Sequence, residues 1–302
     1  MKPILVIGGT GFLGRAVVHA LTLAGEFAIA VPTRRRERNK HLAVLPSVTL
    51  VEADVHDTAT LTRLMQGCHA VINLVGILHS PEGLPYGSGF AHAHVALPEK
   101  IVAAAKTAGV RRLLHVSALQ ASPQAPSGYL RSKAAGEAVI QTSDLAWTIF
   151  QPSVIFGRED AFLNVFARLA SVVPVFPLAC ATARFQPVWV NDVAATLVAS
   201  LTRHESIGKV YPLCGPERFT LAELVHYASA WAGHPRPIVP LPNRLAWVQT
   251  WLMEWLPNPL MSRDNLRSMQ VDNVCPTDCT LPFNRQAGAL TAIAPSYLAP
   301  KR

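Results

Sequence analysis

A glycine-rich segment that directly follows a short apolar run is the feature of this sequence that most limits its fold. The run from Ile4 to Ile7 is typical of a strand buried on both faces. The residues after Gly14 have the spacing of an amphipathic helix. Glycines at such a turn let the backbone approach a pyrophosphate, which the free N–H groups of the helix then bind. The segment therefore predicts a dinucleotide-binding loop made by Gly8, Thr10, Gly11, Phe12, Leu13 and Gly14.

Apolar runs and helical patterns alternate over the first 150 residues. The predicted strands after the first are Ala28–Val31, Val48–Val51, Ala70–Val75, Leu113–Val116 and Trp147–Phe150, and the predicted helices are Thr58–Met65, Leu97–Ala108 and Tyr129–Thr142. This order predicts an α/β fold, a Rossmann-type doubly wound parallel sheet with a smaller carboxyl-terminal substrate lobe. We expect residues 1–154 to form the nucleotide-binding core and residues 155–302 the lobe, with 186–230 partly returning to the core.

Composition limits the compartment and the partners. Half of the 302 residues are hydrophobic, yet no run reaches the ~18 apolar residues of a membrane-spanning helix. We therefore expect a cytoplasmic protein without a transmembrane segment, at most peripheral to a membrane. The five cysteines are odd in number and scattered, which favours a reducing compartment. Cys275 and Cys279 are interpreted as incidental, and no metal site is predicted.

Basic residues cluster where a dinucleotide-binding fold usually has a carboxylate. An Asp or Glu at the end of the second strand binds the 2′-hydroxyl of NAD. Here the sequence reads Val31-Pro-Thr-Arg34-Arg35-Arg36, and arginine suits a 2′-phosphate. The sequence therefore favours NADP(H) over NAD(H), bound by Arg34 and Arg35, with an exposed basic loop as the alternative. Much of the net charge of +8 lies in this loop, so we do not infer binding to nucleic acid.

Three polar residues predict oxidoreductase chemistry. Tyr129 and Lys133 are four residues apart on a predicted helix, so they share one helix face. A nearby cation favours tyrosinate, so we expect Lys133 to lower the pKa of the Tyr129 phenol toward working pH. Ser117 ends the fifth predicted strand, where its hydroxyl can bond a substrate carbonyl or alcohol. The catalytic prediction is therefore Ser117, Tyr129 and Lys133.

Taken together, these residues resemble the atypical extended short-chain dehydrogenase/reductases, which are related to the NAD-dependent epimerases and dehydratases. The chain is especially similar to the group of the nucleotide-binding accessory subunit of respiratory complex I and its bacterial relatives. The matching stretches are 8–14, 115–117, 129–137, 151–157, 185–193, 213–216 and 261–272. The resemblance implies further cofactor contacts from Asp54, Val55, Asn73, Val75, Gly76, Lys133, Gln151, Pro152, Ser153 and Val154. Asp54 and Asn73 are alternatively turn residues.

Three functions remain open at this stage. The first is an NADP(H)-dependent oxidoreductase acting on an apolar carbonyl or alcohol, with quinones as an analogy. The second is a catalytically silent nucleotide-binding subunit of a respiratory complex, which the resemblance implies. The third is a nucleotide-sugar epimerase or dehydratase, which would need polar residues in the second lobe. That lobe instead contains an apolar, tryptophan-rich segment.

This segment, 243–256, has tryptophans at positions 247, 251 and 255. The spacing predicts one apolar stripe on a helix, which we interpret first as core packing or as a roof over the active site. The alternative is that Trp247 and Trp251 contact a lipophilic substrate or that the stripe meets a membrane surface, because tryptophan suits a polar–apolar boundary.

Two other polar residues receive structural interpretations. His94 precedes a predicted helix and is interpreted as a helix-start histidine, with a position facing the cofactor as the alternative. Asp192 is interpreted as a helix N-cap.

Overall fold

The computed structural model describes residues 1–255, 261–276 and 280–300. The strands are β1 (Lys2–Ile7), β2 (Phe27–Thr33), β3 (Val48–Glu52), β4 (Ala70–Asn73), β5 (Arg112–Val116), β6 (Ala146–Pro152), β7 (Ile155–Phe156), β8 (Phe176–Leu178), β9 (Arg184–Phe185), β10 (Val188–Trp189), β11 (Lys209–Leu213), β12 (Phe219–Thr220) and β13 (Ile238–Pro240). The helices are α1 (Phe12–Ala24), α2 (Thr58–Met65), α3 (Ser88–Phe90), α4 (Leu97–Ala108), α5 (Gly128–Gln141), α6 (Leu163–Ala170), α7 (Val190–Ser200), α8 (Leu221–Trp231), α9 (Asn243–Met253), α10 (Arg263–Ser268), α11 (Leu290–Ile293) and α12 (Pro295–Leu298). A π-helical turn, Ala91–Ala96, precedes α4.

The main sheet has seven strands in the order β11-β6-β5-β4-β1-β2-β3, and its strand pairs are parallel. Its strands are apolar on both faces, because helices cover both. Helix α1 packs with α7 on one face, and α2 packs with α4 on the other. The predicted doubly wound parallel sheet is confirmed, and the predicted bounds of α2 and α4 match the structure.

A second hydrophobic cluster lies outside the sheet. Phe156, Leu163 and Phe176 pack there with the buried side of α8. Between the two clusters the chain returns to the Rossmann core twice, through α7 and through the edge strand β11. The domain limits at 154 and 155 stay a prediction.

The structure pairs two cysteines that the sequence analysis left unpaired. Cys214 follows β11, and its Cα lies 6.1 Å from that of Cys275, to which it is joined by a disulfide. Sixty-one positions separate the two along the chain, so spacing alone gave no sign of the pair. The interpretation of Cys275 as incidental is therefore wrong, whereas Cys279 lies outside the described residues.

The expected core packing of the tryptophan segment is also wrong. In α9 the buried residues are the small Ala246 and the polar Thr250, whereas Trp251 faces solvent. Trp247 is half-buried, with the Arg267 guanidinium 5.3 Å from its ring centre. Across the described residues, no helix is both long and apolar enough to cross a bilayer.

Asp192 is not an N-cap, because α7 begins at Val190 and places this residue in its first turn. Its carboxylate instead accepts a hydrogen bond of 2.7 Å from the backbone N–H of Gly288. The side chain therefore connects the Rossmann core to the carboxyl-terminal segment.

Candidate functional site

The parallel strands bring the predicted site residues to one edge of the sheet. Since parallel strands run in the same direction, the residues at their carboxyl ends lie side by side. Gly8 follows β1, Arg34 follows β2, Asn73 ends β4, Ser117 follows β5, and Gln151 is the last residue but one of β6. Residues distant in sequence thus form one crevice.

The glycine loop fits a dinucleotide. Gly8 has φ of +83°, which L side chains rarely adopt. A Cβ on Gly14 would lie 2.6 Å from the Gly9 Cα, so only glycine allows α1 to pack this closely on the loop. The N-cap of α1, Gly11, has no side-chain cap, and the first turn of the helix contains no acidic residue. The first N–H groups of α1 therefore suit an anion.

The edge beside β2 is basic. Arg34 and Arg35 are exposed, and neither forms an ion pair with any residue that the structure describes. Thr33 and Asn39 hold the backbone of this loop through bonds of 3.3 Å to the Arg35 N–H and 2.9 Å to the Arg35 carbonyl. Arg34 is close enough to His56 to help lower the pKa of that imidazole, which burial lowers most.

The residues that follow β3 and β4 make turn contacts. The Asp54 carboxylate accepts a bond of 3.0 Å from the His56 N–H, and its side chain is otherwise exposed. The Asn73 amide lies 3.1 Å from the His115 imidazole and accepts a bond from the Val75 N–H. Val55 and Val75 are half-buried, with Val55 packed against the core. Cofactor contacts by these residues stay a prediction.

Lys133 and Tyr129 lie on the same side of α5. The Lys133 ammonium is 3% exposed and donates a hydrogen bond of 2.9 Å to the Val116 carbonyl. Burial lowers the pKa of Lys133 to about 8 and raises the pKa of Tyr129 to about 12. The expected fall in the Tyr129 pKa is therefore wrong, because desolvation of the phenol raises this pKa.

Ser117 contains a buried hydroxyl without a partner. The residue is 4% exposed, and its Oγ makes no hydrogen bond of acceptable geometry in the described part of the chain. It does lie close enough to the Glu137 carboxylate to help lower that group's pKa, which burial raises. Gln151 donates to both oxygens of Glu137, at 2.9 and 3.0 Å. A buried hydroxyl without a partner is costly, so Ser117 is available to a ligand oxygen.

His94 lies inside the site instead of at a helix start. Its Nδ1 is 2.8 Å from Ser132 Oγ, and its Nε2 accepts a bond of 3.0 Å from the Ile77 N–H. Burial lowers the pKa of His94 to about 3, so the ring is neutral. A Cβ on Gly76 would lie 3.6 Å from Lys133 Nζ and 3.8 Å from His94 Nε2. His94 thus holds the segment after β4 against α5.

Two residues of the carboxyl-terminal region complete the site, and the sequence analysis did not assign them. The Asp264 carboxylate accepts bonds from the N–H groups of Gly128 and Tyr129, at 2.7 and 3.0 Å. Asn273 binds the Ser153 hydroxyl and the Val154 N–H, at 2.6 and 3.0 Å. Asp264 lies within the 261–272 stretch that carried the family resemblance, which was the available signal. Pro152 and Ser153 are buried behind this contact.

A cavity of about 540 Å³ opens beside the start of α5. Its lining combines apolar Leu84 and Phe90 with charged Arg131 and Arg267. Arg131 donates its hydrogen bonds to backbone carbonyls, including that of Pro85 at 2.7 Å, so it is already satisfied. Trp247 lies behind Arg267 and Trp251 faces solvent. The lining is therefore mixed, which differs from the expected apolar surface.

The fold and the loop define an NAD(P)-binding Rossmann protein. The chain belongs to the NAD(P)H-binding family, whose family model matches residues 8–164. The resemblance found in the sequence is thereby confirmed.

Similar proteins include both a respiratory subunit and a reductase. The mitochondrial NADH dehydrogenase (ubiquinone) 1 alpha subcomplex subunit 9 of Mus musculus is 35% identical, over 90% of this chain and 73% of its own length. The (4-alkanoyl-5-oxo-2,5-dihydrofuran-3-yl)methyl phosphate reductase of Streptomyces griseus is 30% identical, over 91% of this chain and 90% of its own length. The crystal structure of an NADPH-dependent quinone oxidoreductase from Escherichia coli, complexed with NADPH, has a TM-score of 0.77 at 21% identity, over 98% of this chain and 99% of that one. This structural likeness shows the fold alone.

Proposed function

We propose that this chain is an NADP(H)-dependent oxidoreductase that acts on a carbonyl or alcohol through Ser117, Tyr129 and Lys133. The observation that carries the proposal is the buried, unpartnered Ser117 hydroxyl, which lies near Glu137 at the same sheet edge as the glycine loop. The neighbouring Glu137 carboxylate already accepts two hydrogen bonds from Gln151, at 2.9 and 3.0 Å, so the Ser117 hydroxyl can turn to a substrate oxygen.

The chain's own residues would hold the cofactor as follows. The loop from Gly8 to Gly14 takes the pyrophosphate, Arg34 and Arg35 take the 2′-phosphate, and Lys133 takes the ribose next to the nicotinamide. The bound nicotinamide supplies or accepts a hydride at the substrate carbon. The segments after β3, β4 and β6 would then line the adenine and nicotinamide rings.

Tyr129 would provide the proton. With its pKa raised to about 12, the phenol is protonated at neutral pH and can donate to a substrate oxygen during carbonyl reduction. The charged Lys133 then stabilises the tyrosinate that forms. Ser117 orients the same oxygen by donating a hydrogen bond. In alcohol oxidation the proton moves in the opposite direction.

We expect the Arg34→Ala/Arg35→Ala double variant to lose its preference for NADPH over NADH. A charge-assisted bond to phosphate contributes enough that NADPH affinity should fall about tenfold to a hundredfold. NADH affinity should stay nearly constant, because its ribose lacks the phosphate. Calorimetric titration of both cofactors measures this. An Arg63→Ala variant, altered at an exposed position on α2, is the control. Equal affinity of the wild type for the two cofactors would overturn the assignment.

Glu137 is expected to set the pH range of the reaction. Its carboxylate raises the pKa of Lys133, opposing the stronger effect of burial. In wild type, kcat/KM should fall as pH rises through about 8, because Lys133 loses its charge. Glu137→Gln should move this fall to lower pH, since the favourable charge is gone. Glu99→Gln, on the exposed side of α4, is the control. An unchanged pH profile in Glu137→Gln would contradict the assigned role.

A second function is favoured by the similarity to the complex I subunit. In that case the chain binds nucleotide tightly, contacts a respiratory complex and does not turn over. Screening the wild type with aldehydes, ketones and quinones separates the two functions. Oxidation of NADPH by one of these acceptors supports the oxidoreductase function. If no acceptor oxidises NADPH, and the protein retains nucleotide and co-purifies with a respiratory complex, the subunit function is supported. On either function we place the protein in the cytoplasm, at most peripheral to a membrane.

We infer an apolar substrate from the apolar part of this cavity, which borders Gly128, the residue before Tyr129. Leu84 and Phe90 supply apolar surface, and the charged residues around them are already paired: Arg267 with Glu82 at 3.0 Å, and Arg131 with backbone carbonyls. Paired charges offer less to a nucleotide sugar than free ones would. Trp247 does not line the cavity but packs against Arg267, which does. Trp251 faces solvent, so it would contact a lipophilic substrate only outside the cavity.

A further inference from the structure

The exposed side of α9 is an apolar feature that the proposed function does not use. We define the α9 face as Leu245, Val248, Trp251, Leu252 and Trp255. Trp255 is 77% exposed and Trp251 is 47% exposed, and the three aliphatic residues are each more than half exposed. At these spacings the four side chains within α9 lie on one side of the helix axis, and Trp255, just after the helix, contacts Trp251 with ring centres 5.7 Å apart. Contiguous apolar surface of this kind marks an interaction site.

The apolar surface continues onto the neighbouring strands. Gln249 of α9 donates a hydrogen bond of 3.4 Å to the Pro177 carbonyl in β8. Pro177 pairs in register with Val239 of β13, which is itself half exposed. Val175, just before β8, is also exposed. The α9 face is thus the centre of a broader apolar patch.

The charges around the patch have one sign. The patch residues lie in the segments 163–182 and 232–253, which contain no Asp or Glu. They contain Arg168, Arg236 and Arg244, and Arg244 lies on the same side of α9 as the two exposed tryptophans. The acid that follows α9, Glu254, is neutralised by Arg263 at 2.9 Å. Among the described residues of these segments, the charged side chains that an anionic partner would meet are therefore basic.

We propose that the α9 face docks onto an anionic lipid bilayer. Tryptophan and leucine side chains enter the boundary between headgroups and acyl chains, while the arginines meet the headgroup phosphates. A second copy of the chain fits less well, because it would bring two surfaces with the same positive charge together. The lining of the cavity and the nucleotide loop take no part in this contact.

The test is vesicle co-sedimentation of the full chain, without cofactor or substrate. One set of vesicles is pure phosphatidylcholine, and the other contains equal parts of phosphatidylcholine and phosphatidylglycerol. We expect binding to the anionic vesicles, with a blue shift of tryptophan emission, and weaker binding as salt rises. Trp251→Ser/Trp255→Ser should weaken binding at least about tenfold. Arg244→Ala should weaken it about fivefold.

Matched controls use other exposed positions. Leu23→Ser removes an exposed apolar side chain from α1, and Arg63→Ala removes an exposed charge from α2, so neither should change binding. Thermal unfolding verifies that every variant is folded. Equal binding to both kinds of vesicle, no binding to either, or equal binding by all variants would overturn the proposal. A concentration-dependent dimer that disappears in the double tryptophan variant would also overturn it, because the face would then bind a second copy.

Discussion

Tyr129→Phe is expected to lower turnover by about a hundred- to ten-thousandfold while NADPH affinity stays within about twofold of wild type. The substitution removes only the hydroxyl that would donate the proton. The ring keeps its edge contacts with Phe90 and His94, at centroid distances of 5.9 and 5.6 Å. Because the site stays packed, the loss falls on kcat more than on cofactor binding. Steady-state NADPH oxidation with the best acceptor from the carbonyl and quinone panel measures it.

Tyr86→Phe is the control for this experiment. Tyr86 lies in the loop beside the start of α5, so its phenol is near the cavity without occupying the proposed catalytic position. Its hydroxyl can be removed with little expected change in kcat. A Tyr129→Phe variant that turns over at the wild-type rate contradicts the mechanism, whichever acceptor is used.

Lys133→Met is expected to harm both cofactor binding and turnover. The ammonium is the buried cation of the site, between the Val116 carbonyl and the Glu137 carboxylate. Without it, the ribose loses a charge-assisted bond, worth about tenfold in NADPH affinity. The tyrosinate also loses its stabilising charge, so kcat should fall about a hundredfold or more. Calorimetry and steady-state kinetics on the same preparation separate the two effects.

Lys106→Met provides the matched control, since Lys106 is a lysine on the outer side of α4, paired only with Asp144 at 3.0 Å. It should behave as wild type in both measurements. If Lys133→Met lost turnover but kept full NADPH affinity, the ribose contact would be refuted. Retention of both would refute the whole assignment of Lys133.

Much of the fold could be predicted because it rests on local patterns. The glycine loop between β1 and α1 and the continuous apolar strands identify a parallel sheet directly from sequence. Once the strands are parallel, their carboxyl ends lie at the same edge of the sheet, which follows for Ser117 and the glycine loop from the predicted strands alone. The i,i+4 spacing likewise placed Tyr129 and Lys133 on one side of α5.

The remainder depends on contacts between distant segments. Asp264 binds the start of α5 across more than a hundred residues, and Asn273 binds the segment after β6 across a similar distance. The Cys214–Cys275 disulfide likewise joins two segments that are distant in sequence. No periodicity in the sequence encodes such pairs. The predicted fall in the Tyr129 pKa was wrong for a related reason. Sequence spacing identifies a cation on the same helix face, but it does not reveal the burial that raises this pKa.

The orientation of α9 could not be predicted either. Its tryptophans at spacing four predict an apolar stripe on one helix face, but this pattern does not show whether other parts of the chain bury that face. In the structure the small Ala246 packs with Ala179 and Leu266, and the buried Thr250 hydroxyl bonds the Ala246 carbonyl at 2.9 Å. Trp247 is half-buried against this cluster, whereas Trp251 and Trp255 are turned to solvent.

The central claim, that this chain binds NADP(H), is tested most directly by native mass spectrometry of the purified protein. The account predicts an added mass equal to one NADP+ or NADPH per chain, which disappears in the Arg34→Ala/Arg35→Ala variant. A preparation that carries no nucleotide and acquires none when NADPH is added would contradict it. So would a wild-type protein that retains NAD+ or NADH in preference to the phosphorylated cofactor.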